Sequence, residues 1–214
     1  MKKILELPES TIARILLVGV ALIFLLFTGL IGPPLHAYIS YQAQEGDLLF
    51  QSLPMNPVVQ TTEGASQSPY SHCGIVVKKN NKWFVLEAIG PVKETPLSDW
   101  VAQGREYHFD AFRLHDQHAK HIPDFIAAAY TYEGHPYDIR YRLDDEKIYC
   151  SEIIYKAFLT ASGIELGSKT KLGDMNWQPY EYTIRQLEGG QLPLERQMIT
   201  PVSITLDTKV FQIE

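Results

Sequence analysis

The sequence predicts an α+β domain in which an antiparallel sheet packs against helices, preceded by an N-terminal hydrophobic helix. Three observations carry that prediction. Strand-like segments are grouped first and helical patterns follow them, as in folds that segregate helices from an antiparallel sheet. Two of the strands, His72 to Lys78 and Lys82 to Ala88, are joined at Asn80-Asn81. An uncharged apolar run from Ile15 to Gly32 stands ahead of both groups.

In chain order, Gly46 to Gln51 reads as a short first strand, and Asn56 to Tyr70, rich in Pro, Ser, Thr and Gly, reads as a loop. After the hairpin, Pro91 to Gly104 reads as irregular, with Pro96 and Trp100 within it. Tyr107 to Leu114 alternates as a strand does. Ile122 to Tyr132 reads as a helix with Ile122, Phe125, Ile126 and Ala129 on one face. Gly134 to Tyr149 reads as a loop, Cys150 to Ser162 as a helix ended by Gly163, and Ile199 to Ile213 as a mixed tail with strand-like residues at its end.

The 214 residues allow one domain plus an appendage, divided here as 1–37 and 38–214. A net charge of −6 gives no electrostatic basis for binding nucleic acid. Two cysteines exclude a disulfide framework. Lys2, Lys3 and Arg14 precede the apolar run, and Pro33-Pro34 follows it. Its eighteen residues, about 27 Å as a helix, stand between a long signal-peptide core and a transmembrane span. Residues 1–37 are therefore either a signal peptide, with Ala37 as a cleavage position, or a membrane anchor through residues 15–32. With the basic residues on the N-terminal side, either reading places the rest of the chain outside the cytoplasm, in the periplasm or cell envelope.

Cys150 is the residue with the most chemistry in its position. A thiol in the first turn of a helix meets unpaired backbone N–H groups and the positive end of the helix dipole, and both favour thiolate. His72 opens a strand, and Glu87 stands on the next one among apolar neighbours, where an unpartnered carboxylate would be costly. A two-residue turn at Asn80-Asn81 sets Gly74 opposite Glu87. His72 and Glu87 then lie diagonally on one face, about 7–8 Å apart at the backbone. An odd loop would turn one strand over and separate them. A cysteine, a histidine and an orienting carboxylate are what thiol-based acyl transfer needs. Cys73, next to His72, should point to the opposite face as a small core residue.

Taken in order, Gly46-Asp47-Leu48-Leu49-Phe50-Gln51, Ser71-His72-Cys73-Gly74-Ile75-Val76, Val85-Leu86-Glu87-Ala88, Thr95-Pro96-Leu97-Ser98-Asp99-Trp100 and Tyr149-Cys150-Ser151-Glu152 resemble the YiiX/YebB-like group of permuted papain-like hydrolases, relatives of the NlpC/P60 enzymes. In ordinary NlpC/P60 proteins the cysteine helix precedes the histidine strand; here His72 comes first, as in the circularly permuted branch. The resemblance is close over residues 45–160 and looser in the tail. It implies a papain-like fold with Cys150 as nucleophile, His72 as general base and Glu87 as third member. Gly134-His135-Pro136-Tyr137 is similar to the family's G-x-P-Y segment, which implies Tyr137 beside the nucleophile as a donor to the oxyanion. Cys73 stands where an apolar residue such as valine is expected.

The activity so implied is cleavage of an amide bond through a thioester acyl-enzyme. The substrate class is a peptide or amide, peptidoglycan-derived or of the γ-glutamyl or lysyl type, and no cofactor is called for. Two other readings stand beside it: a lipid-directed acyltransferase or acylhydrolase of the lecithin–retinol acyltransferase type, and a non-catalytic binding module. His115, His118 and His121 recur every third residue, but no carboxylate or cysteine completes a tetrahedral zinc set there. Asp144-Asp145-Glu146 reads as a solvated turn.

Overall fold

Asn80 and Asn81 both adopt left-handed backbone conformations, φ 49° and 63°, the pair that a two-residue type I′ hairpin turn requires. The computed structural model describes residues 18–19 and 40–213. The expected hydrophobic helix at 15–32 therefore lies outside the described residues, apart from Val18 and Gly19. Across the turn, β2 (His72–Lys79) pairs antiparallel with β3 (Lys82–Ala88), and Gly74 stands opposite Glu87 as the even loop dictates. β1 (Leu48–Gln51), β4 (Val92–Pro96), β5 (Asp110–Leu114) and β8 (Val210–Ile213) complete a sheet of order β4-β3-β2-β1-β5-β8. Every neighbouring pair in it is antiparallel.

Strand alternation divides the sheet into two chemically different faces. One carries Leu48, Phe50, Cys73, Ile75, Leu86 and Phe112, buried against Phe125 of α4 (Ile122–Tyr130) and Ile153, Ile154 and Phe158 of α5 (Cys150–Ser162). The other carries Gln51, His72, Glu87 and Thr95, all buried, and is met by α2 (Leu97–Gln103) through Trp100 and Gln103. Gly74 belongs to this second face, and a Cβ there would come within 2.4 Å of Val85.

Three segments differ from the expectation. Asn56 to Tyr70 is largely α1 (Pro57–Ser66): the Asn56 side chain accepts from the Val58 and Val59 N–H groups, and Pro57 opens the first turn. An Asn cap followed by Pro is a helix-start signal, hidden here by Thr, Ser and Gly. Pro91 to Gly104 is not irregular but holds β4 and α2, whose Leu97, Trp100 and Val101 bury one face at helical spacing. Pro96 fits because it ends an edge strand. Tyr107 to Leu114 gives a shorter strand than expected, since Glu106 and Tyr107 are left-handed.

The tail is strapped onto the start of α5. β6 (Lys169–Lys171) pairs with β7 (Gln197–Ile199). The Ile199 N–H donates to the Tyr149 hydroxyl at 3.0 Å, and the Ser151 hydroxyl donates to the Ile199 carbonyl at 2.8 Å. In the chain, α6 (Glu181–Leu187) lies between these two strands and α7 (Pro201–Thr205) follows β7.

Candidate active site

Cys150 occupies the first position of α5, after Tyr149 in extended conformation. Its backbone N–H is one of those a helix start leaves without an intrahelical partner. The Glu152 carboxylate turns back to accept the Tyr149 N–H at 3.2 Å, and αL Gly163 closes the far end. This start is pinned by the tail, so the thiol stands on a fixed support beside the first residues of β2.

His72 and Glu87 meet as the hairpin register requires. His72 Nε2 lies 2.5 Å from Glu87 Oε2 with both residues buried. The carboxylate is further held by the Thr95 hydroxyl at 2.5 Å and the Gln103 amide at 2.9 Å. Trp100 covers the imidazole, its ring centre 6.0 Å away and tilted by 32°. With Nε2 engaged by Glu87, Nδ1 is the ring nitrogen left to face Cys150, whose thiol is near enough to raise the basicity of the ring.

The electrostatics favour an ion pair. Burial opposes charge on His72, but hydrogen bonds to Cys150 and then Glu87 outweigh it and push the imidazolium up to about 9. A hydrogen bond from the Cys73 thiol holds Cys150 well below the ordinary thiol range; burial opposes this, and the hydrogen bond and charge of His72 reinforce it. Burial also works against the Glu87 carboxylate, yet its bond to His72 keeps it below the usual range. The site therefore favours thiolate and imidazolium over thiol and imidazole.

Two hollows meet at Tyr141. One, of about 120 Å³, is lined by Val58, Val59, Thr62, His72, Tyr137 and Tyr141. The other, of about 70 Å³, lies against Cys150 and shares Thr62, Ser71 and Tyr141 with the first. The Thr62 and Tyr141 hydroxyls are 3.2 Å apart, so α1 bridges to the loop before α5. Tyr137 is partly buried; its ring meets that of Tyr141 edge-on, with centroids 6.4 Å apart, and it lies within the field of Cys150. Tyr149, which immediately precedes the cysteine, is committed to Ile199.

The structure brings Cys150, His72, Glu87 and Tyr137 into one neighbourhood. It also adds residues that sequence reasoning missed. Thr95 opens the Thr95–Trp100 segment, where nothing in the sequence ties it to Glu87, and Gln103 gives no signal. Cys73 is on the core face as alternation predicts, yet its thiol reaches Cys150 because the start of α5 sits at the strand end. The three histidines of 115–121 diverge: His115 stacks on Phe211, while His118 and His121 meet the edge of Phe158.

A histidine strand that precedes a cysteine helix, on an antiparallel sheet, defines a permuted papain-like hydrolase. The family model described as permuted papain-like amidase enzyme, YaeF/YiiX, C92 family, matches residues 42–212, and the chain belongs to that family. It is 31% identical over 168 residues to the uncharacterized protein YiiX of Escherichia coli (strain K12), covering 77% of this chain and 83% of that one. It also resembles a crystal structure described as the metalloprotein yiiX from Escherichia coli O157:H7, with a TM-score of 0.76 and 29% identity over 81% of this chain and 98% of that chain. Among the described residues of this chain, no three His, Cys, Asp or Glu side chains converge to hold a metal ion.

Proposed function

We propose that this chain is a cysteine amidase that cleaves a peptide-type amide, with a cell-wall peptide as the default substrate class. The observation that carries the reading is the buried His72–Glu87 pair, its carboxylate held by three bonds, with the Cys150 thiol beside the imidazole at a helix start. The Cys150 thiolate attacks the amide carbonyl carbon, and the C=O electron pair moves onto oxygen. The Cys150 backbone N–H and the Tyr137 hydroxyl serve as donors to that oxyanion. His72 Nδ1–H protonates the departing nitrogen as the C–N bond breaks, leaving a thioester and a neutral imidazole. That imidazole takes a proton from water; the hydroxide expels the thiolate and releases the carboxylic acid. Glu87 fixes the ring orientation and stabilises its charged form.

The Glu87 carboxylate is already engaged by His72, Thr95 and Gln103, and it acts here by orienting the imidazole. The apolar run at 15–32 supports an exported or membrane-anchored domain acting outside the cytoplasm, where such peptides are found. Purified cell-wall peptides incubated with the wild-type domain and with Cys150→Ala, and resolved by chromatography and mass spectrometry, test the reading. Cleavage products are expected from the wild type alone. Products from both proteins, or from neither while a phospholipid acyl group is transferred, would contradict it.

A further inference from the structure

The two hollows beside the nucleophile are not equivalent, and their difference bears on which half of the substrate each receives. The proton donor must reach the leaving nitrogen, so the leaving half belongs in the hollow lined by His72. The acyl half then extends into the other, which Cys150 lines and His72 does not. The walls of that second hollow are mostly apolar: Ala65 from α1, and Leu172, Met175, Ile184, Met198 and Ile199 from the tail, with hydroxyl side chains such as Thr61 and Thr200 among them. Leu172, Ile184 and Met198 belong to one buried cluster with Tyr149, so the hollow is part of the packed domain. Of the charged residues that border it, Glu188 and Arg196 are paired with one another, and Arg140 is exposed.

Size narrows the occupant. The hollow is about 70 Å³, roughly half of the ~150 Å³ apolar cavity known to take a benzene ring. Three or four aliphatic carbons fill it; a long fatty chain or a solvated ammonium group does not match it. We infer that the acyl half of the substrate carries a short aliphatic group, of the size of a valyl or leucyl side chain, seated between α1 and the C-terminal tail. This rests on the assignment of Cys150 as nucleophile and goes beyond it by naming what the nucleophile's acyl partner looks like.

Activated p-nitrophenyl esters test the inference, since they need the acyl hollow and the thiolate but little from the leaving-group side. The burst of p-nitrophenolate is measured for acetate, butyrate, isovalerate, decanoate and a valerate ending in trimethylammonium. Each rate is divided by that of N-acetylcysteine with the same ester. Each buried methylene is worth about fourfold, so butyrate and isovalerate should acylate about fifteenfold or more faster than acetate. Decanoate and the cationic ester should be no faster than acetate. Ile184→Ala, which enlarges the hollow, should move the optimum to a longer chain; the wild-type series decides the matter if that variant does not fold. A flat series, or a maximum at the decanoate or the cationic ester, would overturn the inference while leaving the nucleophile assignment standing. No burst with any ester would overturn both.

Discussion

Replacing Glu87 by glutamine separates the charge of the third member from its shape. The carboxylate is buried and receives three bonds: from His72 and Gln103 on Oε2 and from Thr95 on Oε1. A glutamine can keep its carbonyl oxygen at the Oε2 position and turn its amide toward Thr95, whose hydroxyl can rotate to accept. Geometry is then retained and only the charge is lost. A hydrogen bond to a charged group contributes about 1.5–3 kcal/mol and a neutral one about 1 kcal/mol. The variant should therefore lose about 0.5–2 kcal/mol of support for the imidazolium, or about 2- to 30-fold in kcat/KM. Because the bond to Glu87 is one of those that push His72 up to about 9, the alkaline limb of the pH–rate profile should also move to lower pH. Steady-state kinetics from pH 5 to 10 give both quantities. His72→Ala, which removes the base itself, should lose far more. If Glu87→Gln matched the wild type in rate and profile, the carboxylate would be structural, and the argument that it sustains the ring's charge would be wrong.

The other expectations concern the thiols, the pH range and the location. Cys150→Ala should abolish hydrolysis with an unchanged circular dichroism spectrum, and iodoacetamide should label Cys150 faster than Cys73, whose thiol burial pushes up; preferential labelling of Cys73 would reverse the assignment. Cys73→Val removes a donor to the Cys150 thiolate, so the pH midpoint of iodoacetamide labelling should rise; an unchanged or lower midpoint would show that the contact does not stabilise the anion. For the wild type, the imidazolium that protonates the leaving group persists up to about pH 9, and kcat/KM should fall above that pH as well as at acid pH, where the thiolate is lost. A rate that kept rising beyond pH 10 would exclude His72 as the acid. Protease added to intact spheroplasts should digest the domain from Glu45 onward, and protection until lysis would place it in the cytoplasm.

The parts of the site legible in the sequence are those fixed by local rules. The hairpin register follows from an even turn, and it alone brings His72 and Glu87 to one face. Cys150 announces itself by the apolar periodicity behind it and by Gly163 after it. Helix α1 was obscured because its residues are mostly polar or β-branched, and its stability comes from the Asn56 cap and from tertiary contacts. Thr95 and Gln103 reach Glu87 from separate elements, a relation that depends on where α2 docks and leaves no periodic trace. The same holds for the Cys73–Cys150 contact, where alternation gives the face of a side chain but not how close a helix end comes to the strand end. The tail's role in walling the second hollow depends on the hydrogen bonds of Ile199 to Tyr149 and Ser151, far apart in sequence.

The central claim is that Cys150 carries the acyl group during turnover. Rapid mixing of the wild-type protein with p-nitrophenyl butyrate, acid quenching within the burst and intact-mass analysis should show one added butyryl group. Peptide mapping should place it on Cys150, and Cys150→Ala should show none. An adduct at another residue, or steady hydrolysis with the same rate in Cys150→Ala, would contradict the account.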